Sequence, residues 1–290
     1  MNPNNTTLGF IGTGVMGASM AGHLLNAGAQ LHITTRTKSK AQDLIDRGAT
    51  WHDSPASLAA AVDAVFTIVG FPPDVESVYL GDDGLIPNAK PGTVLVDMTT
   101  SSPALAKALS DKAEQHNCQA LDAPVSGGDR GAREATLSIM VGGNRDAYDA
   151  VLPLFEVMGK NIVYQGPAGA GQHCKMCNQI AVAAGMLGVC ESLAYAQHAG
   201  LDPTTVLQSI AAGAAGSWAL SNLAPRILDG DLDPGFYIKH FIKDMTIATE
   251  SADALGLDAP TLQLALDQYK TLADQGHADR GTQALIKLYE

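Results

Sequence analysis

The sequence is poor in positive charge and in cysteine. Its 290 residues carry 18 Lys and Arg against 30 Asp and Glu, which gives a formal net charge of −12. The acidic residues are spread along the whole chain, as on a well-solvated surface, and form no acidic tail. This balance opposes binding to nucleic acid or to an anionic membrane surface, so we expect neither as a partner.

The few cysteines form no recognisable metal-binding or disulfide pattern. Cys174 and Cys177 make a single Cys-x-x-Cys without a second pair, and structural zinc sites need four ligands. The N-terminal residues are polar, and no charge-free apolar run is long enough to span a bilayer. We therefore predict no metal site and a reduced, cytoplasmic protein.

A glycine-rich turn follows the first apolar segment, residues 8–11, which has the pattern of a buried strand. The turn has the form G-x-G-x-x-G and leads into a helical stretch. In this motif the first glycine allows a tight turn, the second lets the backbone approach a pyrophosphate, and the third lets the helix pack on the strand. Free N–H groups at the helix start bind the anion. We predict a dinucleotide held by Gly12, Thr13, Gly14, Val15, Met16 and Gly17.

The end of the second predicted strand, residues 30–34, lacks the acidic residue that binds the adenosine ribose of NAD. Thr35, Arg36 and Thr37 follow instead. A guanidinium and hydroxyl groups are the donors that a 2′-phosphate would need, although a solvated helix start would show the same residue types. The sequence therefore favours NADP over NAD.

The rest of the N-terminal half alternates apolar runs with helical stretches, as in a parallel sheet covered by helices. Strands are predicted at residues 64–69, 93–96, 119–121, 137–141 and 161–164. Cofactors lie at the carboxyl ends of such strands. Candidate cofactor contacts are therefore Phe71 and Pro72 after one strand and Thr100 after the next.

Ser126, Gly127 and Gly128 follow the strand predicted at residues 119–121. Successive backbone N–H groups in such a segment can converge on an anion, and a carboxylate substrate would suit them. An ordinary β-turn would give the same local pattern.

Lys175 lies near the start of a long apolar helix predicted at about residues 171–198. Small and apolar residues occupy every face, so we expect this helix to be buried nearly all round. A buried lysine is costly. The pattern leaves two interpretations: an amine that reaches solvent at a helix end, and a catalytic amine at a domain junction. After residue 200 the sequence predicts only helices, including single helices at 220–228 and 281–288.

These motifs, in this order, resemble those of the β-hydroxyacid dehydrogenase family. Its members include 3-hydroxyisobutyrate dehydrogenase, tartronate semialdehyde reductase and the glyoxylate and succinic semialdehyde reductases. The similar segments are residues 9–17, 122–128, 169–178 and 239–244. The resemblance covers nearly the whole chain. It implies an α/β Rossmann-type NAD(P)-binding domain at residues 1–166 and an all-α C-terminal domain for substrate and oligomer contacts at residues 167–290, joined by the long helix.

The resemblance also implies residue roles. Lys175 would be the general acid/base, with Asn178 orienting it or the substrate oxygen, and Lys243 would line the cofactor and substrate cleft. The substrate carboxylate would be held by Ser126, Gly127 and Gly128. The sequence departs from the family at Gln179, where many members have Asn, and at Thr35, where NAD-using members often have Asp.

The activity implied is an NADP-preferring interconversion of a small 3-hydroxy acid and its semialdehyde, in a homodimer or homotetramer. Two alternatives stay open. One is reduction of glyoxylate or succinic semialdehyde, and the other is a non-catalytic member that only binds the dinucleotide.

Overall fold

The computed structural model describes residues 1–290, which form one nine-stranded sheet followed by helices. The strands are β1 (Thr7–Ile11), β2 (Gln30–Thr34), β3 (Thr50–Trp51), β4 (Ala64–Thr67), β5 (Val94–Asp97), β6 (Gln119–Asp122), β7 (Val125–Ser126), β8 (Leu137–Gly143) and β9 (Gly159–Gly166). Their order in the sheet is β3-β2-β1-β4-β5-β6-β8-β7, and β9 pairs with β8. Strands β1 to β6 are parallel, whereas β6 and β7 each pair antiparallel with β8.

Fourteen α-helices accompany and follow this sheet. They are α1 (Gly17–Asn26), α2 (Gln42–Asp46), α3 (Pro55–Ala59), α4 (Pro72–Leu80), α5 (Leu85–Asn88), α6 (Pro103–Gln115), α7 (Gly128–Arg133), α8 (Arg145–Phe155), α9 (Ala170–His198), α10 (Pro203–Ala211), α11 (Trp218–Asn222), α12 (Ala224–Leu228), α13 (Ile238–Ala254) and α14 (Pro260–Leu272). A π-helical turn (Ala273–His277) and a 3₁₀ helix (Thr282–Leu288) end the chain. The predicted Rossmann-type part followed by a helical part is confirmed.

The chain divides into two compact units, Met1–Lys175 and Met176–Glu290. In the first unit the central strands are buried on both faces. Phe66 belongs to the core on one face of the sheet, and its neighbour Val65 belongs to the core on the other. This double burial explains why β4 has a continuous apolar run. The second unit has its own core, which includes Phe241 and Tyr269.

The parallel arrangement positions the candidate site. Strands β1, β2, β4, β5 and β6 all run in one direction, so the loops that follow them emerge at one edge of the sheet. Ligands of such sheets bind at this carboxyl edge. The glycine turn, the Thr35–Thr37 segment and the Thr100 loop all belong to it.

Two helix predictions are wrong in detail. Residues 220–228 form the two helices α11 and α12 rather than one. Pro225 lies in the first turn of α12, where a proline is tolerated, but its missing N–H cannot continue a preceding helix. The segment predicted as a helix at 281–288 is the tighter 3₁₀ form.

Helix α9 is not buried nearly all round, which corrects the prediction from its composition. Its exposed residues recur at intervals of about four positions and so share one face; they include His173, Cys177, Ala181, Gly188 and Tyr195. Tyr195 is 75% exposed. By length and hydropathy alone, α9 is the one helix here that could cross a membrane, and 50% of its most apolar stretch is buried inside the protein. Core helices of soluble proteins have the same properties.

Candidate active site

The turn between β1 and α1 has the geometry of a pyrophosphate-binding loop. Gly12 has φ +95°, and a Cβ there would lie 2.0 Å from the carbonyl oxygen of Ile68. A Cβ on Gly17 would lie 1.9 Å from the carbonyl oxygen of Gly12, so only glycine lets α1 begin here. No atom lies within 4 Å of a Cβ built on Gly14. This backbone therefore faces open space, which fits the close approach of a dinucleotide.

The other residues of the turn differ in exposure. Thr13 is buried, and its hydroxyl oxygen has no hydrogen-bond partner within the protein. Val15 is exposed, and Met16 directly precedes the first residue of α1. The loop thus presents backbone groups and an exposed apolar side chain, with no acidic residue that would repel phosphate.

The end of β2 carries the predicted 2′-phosphate contacts. Arg36 is largely exposed, and its Nη1 lies 3.2 Å from Oδ1 of Asp74. Thr35 is half-buried and Thr37 is exposed. The other carboxylate oxygen of Asp74 accepts the N–H of Phe71 at 3.1 Å, immediately before α4. Asp74 therefore holds the guanidinium beside the loop that follows β4.

The three remaining cofactor candidates of that loop and the next, Phe71, Pro72 and Thr100, are all at least partly accessible. Phe71 is exposed and precedes α4, whose first residue is Pro72. Thr100 is half-buried in the loop after β5. Its neighbour Thr99 accepts the N–H of Val69 through its hydroxyl oxygen at 3.0 Å. This bond ties the loop after β5 to the end of the loop after β4.

Gln172, which the sequence did not single out, holds the loop after β5. This residue in the first turn of α9 is fully buried. Its Oε1 accepts the N–H of Ser101 at 3.0 Å, and its Nε2 donates to the carbonyl oxygen of Thr99 at 2.7 Å. The glutamine side chain therefore bonds the backbone on both sides of Thr100.

Asp122, the last residue of β6, caps the start of α9. Its two carboxylate oxygens accept the N–H groups of Gly169 and Gln172, each at 2.8 Å. Burial raises the pKa of Asp122 to about 6, against the lowering effect of these hydrogen bonds. Above that pH the carboxylate is ionised, and its charge is favourably placed at a helix N-terminus.

Lys175 is buried in the first unit. It is 6% exposed, and its Nζ donates to the carbonyl oxygen of Val125 at 2.9 Å. The amine therefore does not reach out to solvent, as one interpretation of the sequence required. Burying a lysine amine costs free energy, and a residue that bears such a cost in a candidate site points to a functional role.

Val125 directly precedes the predicted carboxylate site. Gly127 and Gly128 have φ values of +135° and +63°, and Gly128 is the first residue of α7. The segment is thus a direct passage from β7 into a helix, not an ordinary β-turn. Ser126 is half-buried at the end of β7. The structure brings the amine of Lys175 to the residue before Ser126.

In the second unit, Asn178 and Lys243 are joined by two buried residues. The Nδ2 of Asn178 donates to Oε1 of Gln179 at 2.7 Å, and the Nε2 of Gln179 donates to Oδ2 of Asp244 at 2.5 Å. The Nζ of Lys243 lies 2.8 Å from the other carboxylate oxygen of Asp244. Gln179 and Asp244 were not predicted as site residues. Asp244 ends one of the motifs that carry the resemblance, and Gln179 directly follows another, where the sequence departs from the family.

Comparison with known proteins matches both parts of the chain. Residues 7–166 match the family described as the NAD binding domain of 6-phosphogluconate dehydrogenase. Residues 169–289 match the family described as NAD-binding of NADP-dependent 3-hydroxyisobutyrate dehydrogenase.

Individual relatives are similar over most of their length. "Probable 3-hydroxyisobutyrate dehydrogenase-like 1, mitochondrial" of Arabidopsis thaliana is 48% identical, over 100% of this chain and 87% of the relative. The 2-hydroxy-3-oxopropionate reductase of Escherichia coli (strain K12) is 40% identical, over 98% of this chain and 97% of the relative. The solved structure of a Mycobacterium tuberculosis 3-hydroxyisobutyrate dehydrogenase with L-serine superposes with a TM-score of 0.90 at 31% identity, covering 98% of both chains.

The chain belongs to the β-hydroxyacid dehydrogenase family. It is an NAD(P)-dependent hydroxyacid dehydrogenase of the 3-hydroxyisobutyrate dehydrogenase and tartronate semialdehyde reductase type. The family and the enzyme class predicted from the motifs are confirmed, and the non-catalytic alternative is set aside.

In this β-hydroxyacid dehydrogenase, the predicted cofactor residues of the first unit fall on the loops after β1, β2, β4 and β5. Lys175 and the segment Ser126–Gly128 meet through Val125. Two residues that sequence reasoning missed, Asp122 and Gln172, form the contacts between the sheet and the start of α9. Asp122 opens the second motif. An acidic residue at the end of a buried strand indicates that its carboxylate has hydrogen-bond partners. The partners of Asp122 lie about fifty residues away in sequence, so no local pattern identifies them.

Proposed function

We propose that the protein interconverts a small 3-hydroxy acid and its semialdehyde, with NADP as the preferred cofactor and Lys175 as the general acid/base. The observation that supports this most strongly is the buried amine of Lys175, 2.9 Å from the carbonyl oxygen of Val125. A buried lysine beside the candidate carboxylate site is suited to bind the oxygen that gains or loses a proton.

The residues divide the work as follows. Ser126, Gly127 and Gly128 would bind the substrate carboxylate through backbone N–H groups and the serine hydroxyl. The bound nicotinamide supplies the hydride acceptor or donor. During oxidation the neutral amine of Lys175 takes the hydroxyl proton, and during reduction the ammonium returns it to the carbonyl oxygen. The bond to Val125 fixes where the amine lies, which limits the positions from which it can transfer a proton.

Asn178 and Lys243 are assigned by their places in the motifs. Asn178 lies on the same helix as Lys175, three positions later, and is the candidate for orienting the amine or the substrate oxygen. Lys243 is the candidate for contacts with cofactor and substrate. The chain through Gln179 and Asp244 would hold both side chains in place.

A substrate panel tests the proposed activity. The purified protein would be mixed with NADPH or NADH and with short semialdehydes, glyoxylate and succinic semialdehyde, while the near-ultraviolet absorbance of the reduced cofactor is followed. We expect a three-carbon or branched four-carbon semialdehyde to give the highest kcat/KM. Oxidation of the cofactor only with glyoxylate or succinic semialdehyde would instead support the alternative substrate class.

The cofactor preference is tested by Arg36→Ala. A charge-assisted hydrogen bond to phosphate contributes about 1.5–3 kcal/mol, so losing it should raise the KM for NADPH about 10- to 100-fold. The KM for NADH should stay within about twofold, because NADH has no 2′-phosphate. Steady-state kinetics with both cofactors would measure the two effects.

Arg145→Ala is the matched control for this substitution. Arg145 is also an exposed arginine paired with an aspartate, Asp149 at 3.0 Å, but it lies on α8. It should change neither KM. If Arg36→Ala weakens NADPH and NADH equally, or neither, the proposed NADP preference does not rest on this arginine.

A further inference from the structure

We infer that Gln172 is a positioning residue that couples the loop carrying Thr100 to the first turns of the helix carrying Lys175. The inference rests on the proposed roles of Thr100 and Lys175, and it adds a residue to which no role in the reaction has been given. It is carried by three hydrogen bonds of Gln172, two through its fully buried side chain and one through its backbone N–H, and by a fourth bond from Gly169 to Asp122.

The first part of the coupling is the hold on the loop. Both polar atoms of the Gln172 amide are used: one accepts the Ser101 N–H and the other donates to the Thr99 carbonyl oxygen. A primary amide carries a C=O acceptor and an N–H donor at the same end of the side chain, which is what these two partners require. The loop backbone therefore cannot move away from α9 without leaving buried polar groups unpaired.

The second part is the hold on the helix. The N–H of Gln172 donates to Oδ2 of Asp122, and Oδ1 of Asp122 accepts the N–H of Gly169. A Cβ on Gly171 would lie 2.4 Å from the carbonyl oxygen of Met140 and 2.5 Å from that of Asp122. The start of α9 thus packs closely against the end of β6 and the middle of β8, and Lys175 lies within one turn of Gln172.

Gln172 bonds both the loop after β5 and the end of β6, so it fixes the distance between that loop and the start of α9. The loop after β5 is where a cofactor contact is proposed, and Lys175 is where the proton transfer is proposed. The reaction requires the bound cofactor and the amine of Lys175 to be held at a fixed distance from each other. A displacement of about 1 Å can lower the rate about 100-fold. Loss of the amide should therefore lower kcat more than it weakens cofactor binding, which depends mainly on the glycine turn.

Gln172→Met removes both loop bonds at nearly constant volume. We expect kcat to fall about 10- to 100-fold while the KM for NADPH changes less than about threefold. Gln283→Met is the matched control. Gln283 is equally buried, and its Nε2 donates to the carbonyl oxygens of Asp231 and Asp233 in the second unit. Both variants should lose thermal stability, but only Gln172→Met should lose kcat per folded molecule.

Gln172→Glu gives a readout that simple destabilisation would not produce. A protonated carboxyl reproduces both bonds, since its C=O accepts from Ser101 and its O–H donates to Thr99. The ionised form puts a charged acceptor against the Thr99 carbonyl. Burial favours the protonated form, as do the neighbouring acids Asp122, which accepts the Gln172 N–H, and Asp97, which accepts the Thr99 N–H. Lys175, three positions along the helix, favours the ionised form.

The ratio of kcat for Gln172→Glu to kcat for the unmodified protein should therefore rise about tenfold or more as the pH falls from about 8 to about 5.5. Asp122 and Lys175 are present in both proteins, so the ratio removes the part of the pH dependence that the substitution leaves unchanged. A flat ratio, or a Gln172→Met enzyme with normal kcat, would overturn the inference.

Amide hydrogen exchange separates this inference from the proposed function. In Gln172→Met, exchange should speed up together in residues 99–101 and 169–175, and in neither segment for Gln283→Met. Faster exchange in only one of the two segments contradicts the coupling, whatever the activity. If exchange speeds up in both segments of Gln172→Met but a Lys175 variant keeps full activity, Gln172 is a structural link between loop and helix. That result overturns the proposed acid/base role of Lys175 and not the coupling.

Discussion

Replacing Lys175 by methionine should lower kcat about 10²- to 10⁴-fold, the range that general acid–base catalysis contributes. Methionine keeps the length and apolar stem of the side chain, so the interior position stays filled. The lost group is the amine that now donates to Val125. Steady-state turnover with the best semialdehyde from the panel, together with a thermal unfolding curve, would measure the effect on folded protein.

Two further variants separate proton transfer from charge. Lys175→Arg keeps a positive charge, but a guanidinium does not release its proton in this pH range, so activity should stay low. Lys107→Met removes an exposed lysine of α6 that pairs with Asp111 and should leave kcat unchanged. A folded Lys175→Met enzyme with kcat within about threefold of the unmodified protein would refute the assignment of Lys175 as the acid/base.

The second large effect is expected at the glycine turn, where two alanine substitutions should fail for different reasons. At Gly17 the new Cβ would overlap the backbone of Gly12, so the turn and α1 must separate and the protein should lose about 1–3 kcal/mol of stability or more. At Gly14 the new Cβ meets no protein atom. Gly14→Ala should therefore fold normally but bind NADPH about 10- to 100-fold more weakly, because the methyl group occupies the approach of the pyrophosphate.

Thermal unfolding and cofactor titration would distinguish the two outcomes. Gly188→Ala serves as the control, because Gly188 is an α9 glycine whose added Cβ also meets nothing within 4 Å. It should keep both stability and affinity. If Gly14→Ala binds NADPH as tightly as Gly188→Ala does, the dinucleotide does not approach this backbone.

The elements that the sequence predicted well are those whose pattern is local. β2 has the bounds expected, Gln30–Thr34. A strand buried on both faces, such as β4, is recognisable as a continuous apolar run. The glycine turn is recognisable as a motif because a side chain at two of its positions would overlap the backbone. By contrast, β3 has only two residues and depends on pairing with β2. Such a strand has no pattern of its own.

Helix α8 shows a second limit. It runs from Arg145 to Phe155 with Pro153 inside it. No local pattern in the sequence predicted a helix there. Pro153 has no N–H to donate to the carbonyl oxygen of Asp149 one turn earlier, and its ring crowds that carbonyl, so it carries a local penalty. Packing of Tyr148, Val151 and Leu154 into the core outweighs the local penalty.

The sequence predicted which residues belong to the candidate site, but not the hydrogen bonds that join them. Motif order placed Lys175 and Ser126–Gly128 in the chain, but the bond from Lys175 to Val125 spans 50 positions. The same holds for Gln172, whose partners Thr99 and Ser101 lie more than 70 positions away. Such bonds depend on the sheet register, which no local pattern specifies.

The exposed face of α9 has a practical consequence for labelling chemistry. Thiol reagents attack the thiolate of an accessible cysteine. Burial raises the pKa of Cys118 and raises that of Cys190 to about 12, so neither readily forms a thiolate. Cys177 is the exposed thiol, two positions after Lys175 on the same helix. The protein thus carries a native attachment point for a fluorescent dye on the exposed face of the helix that also carries Lys175.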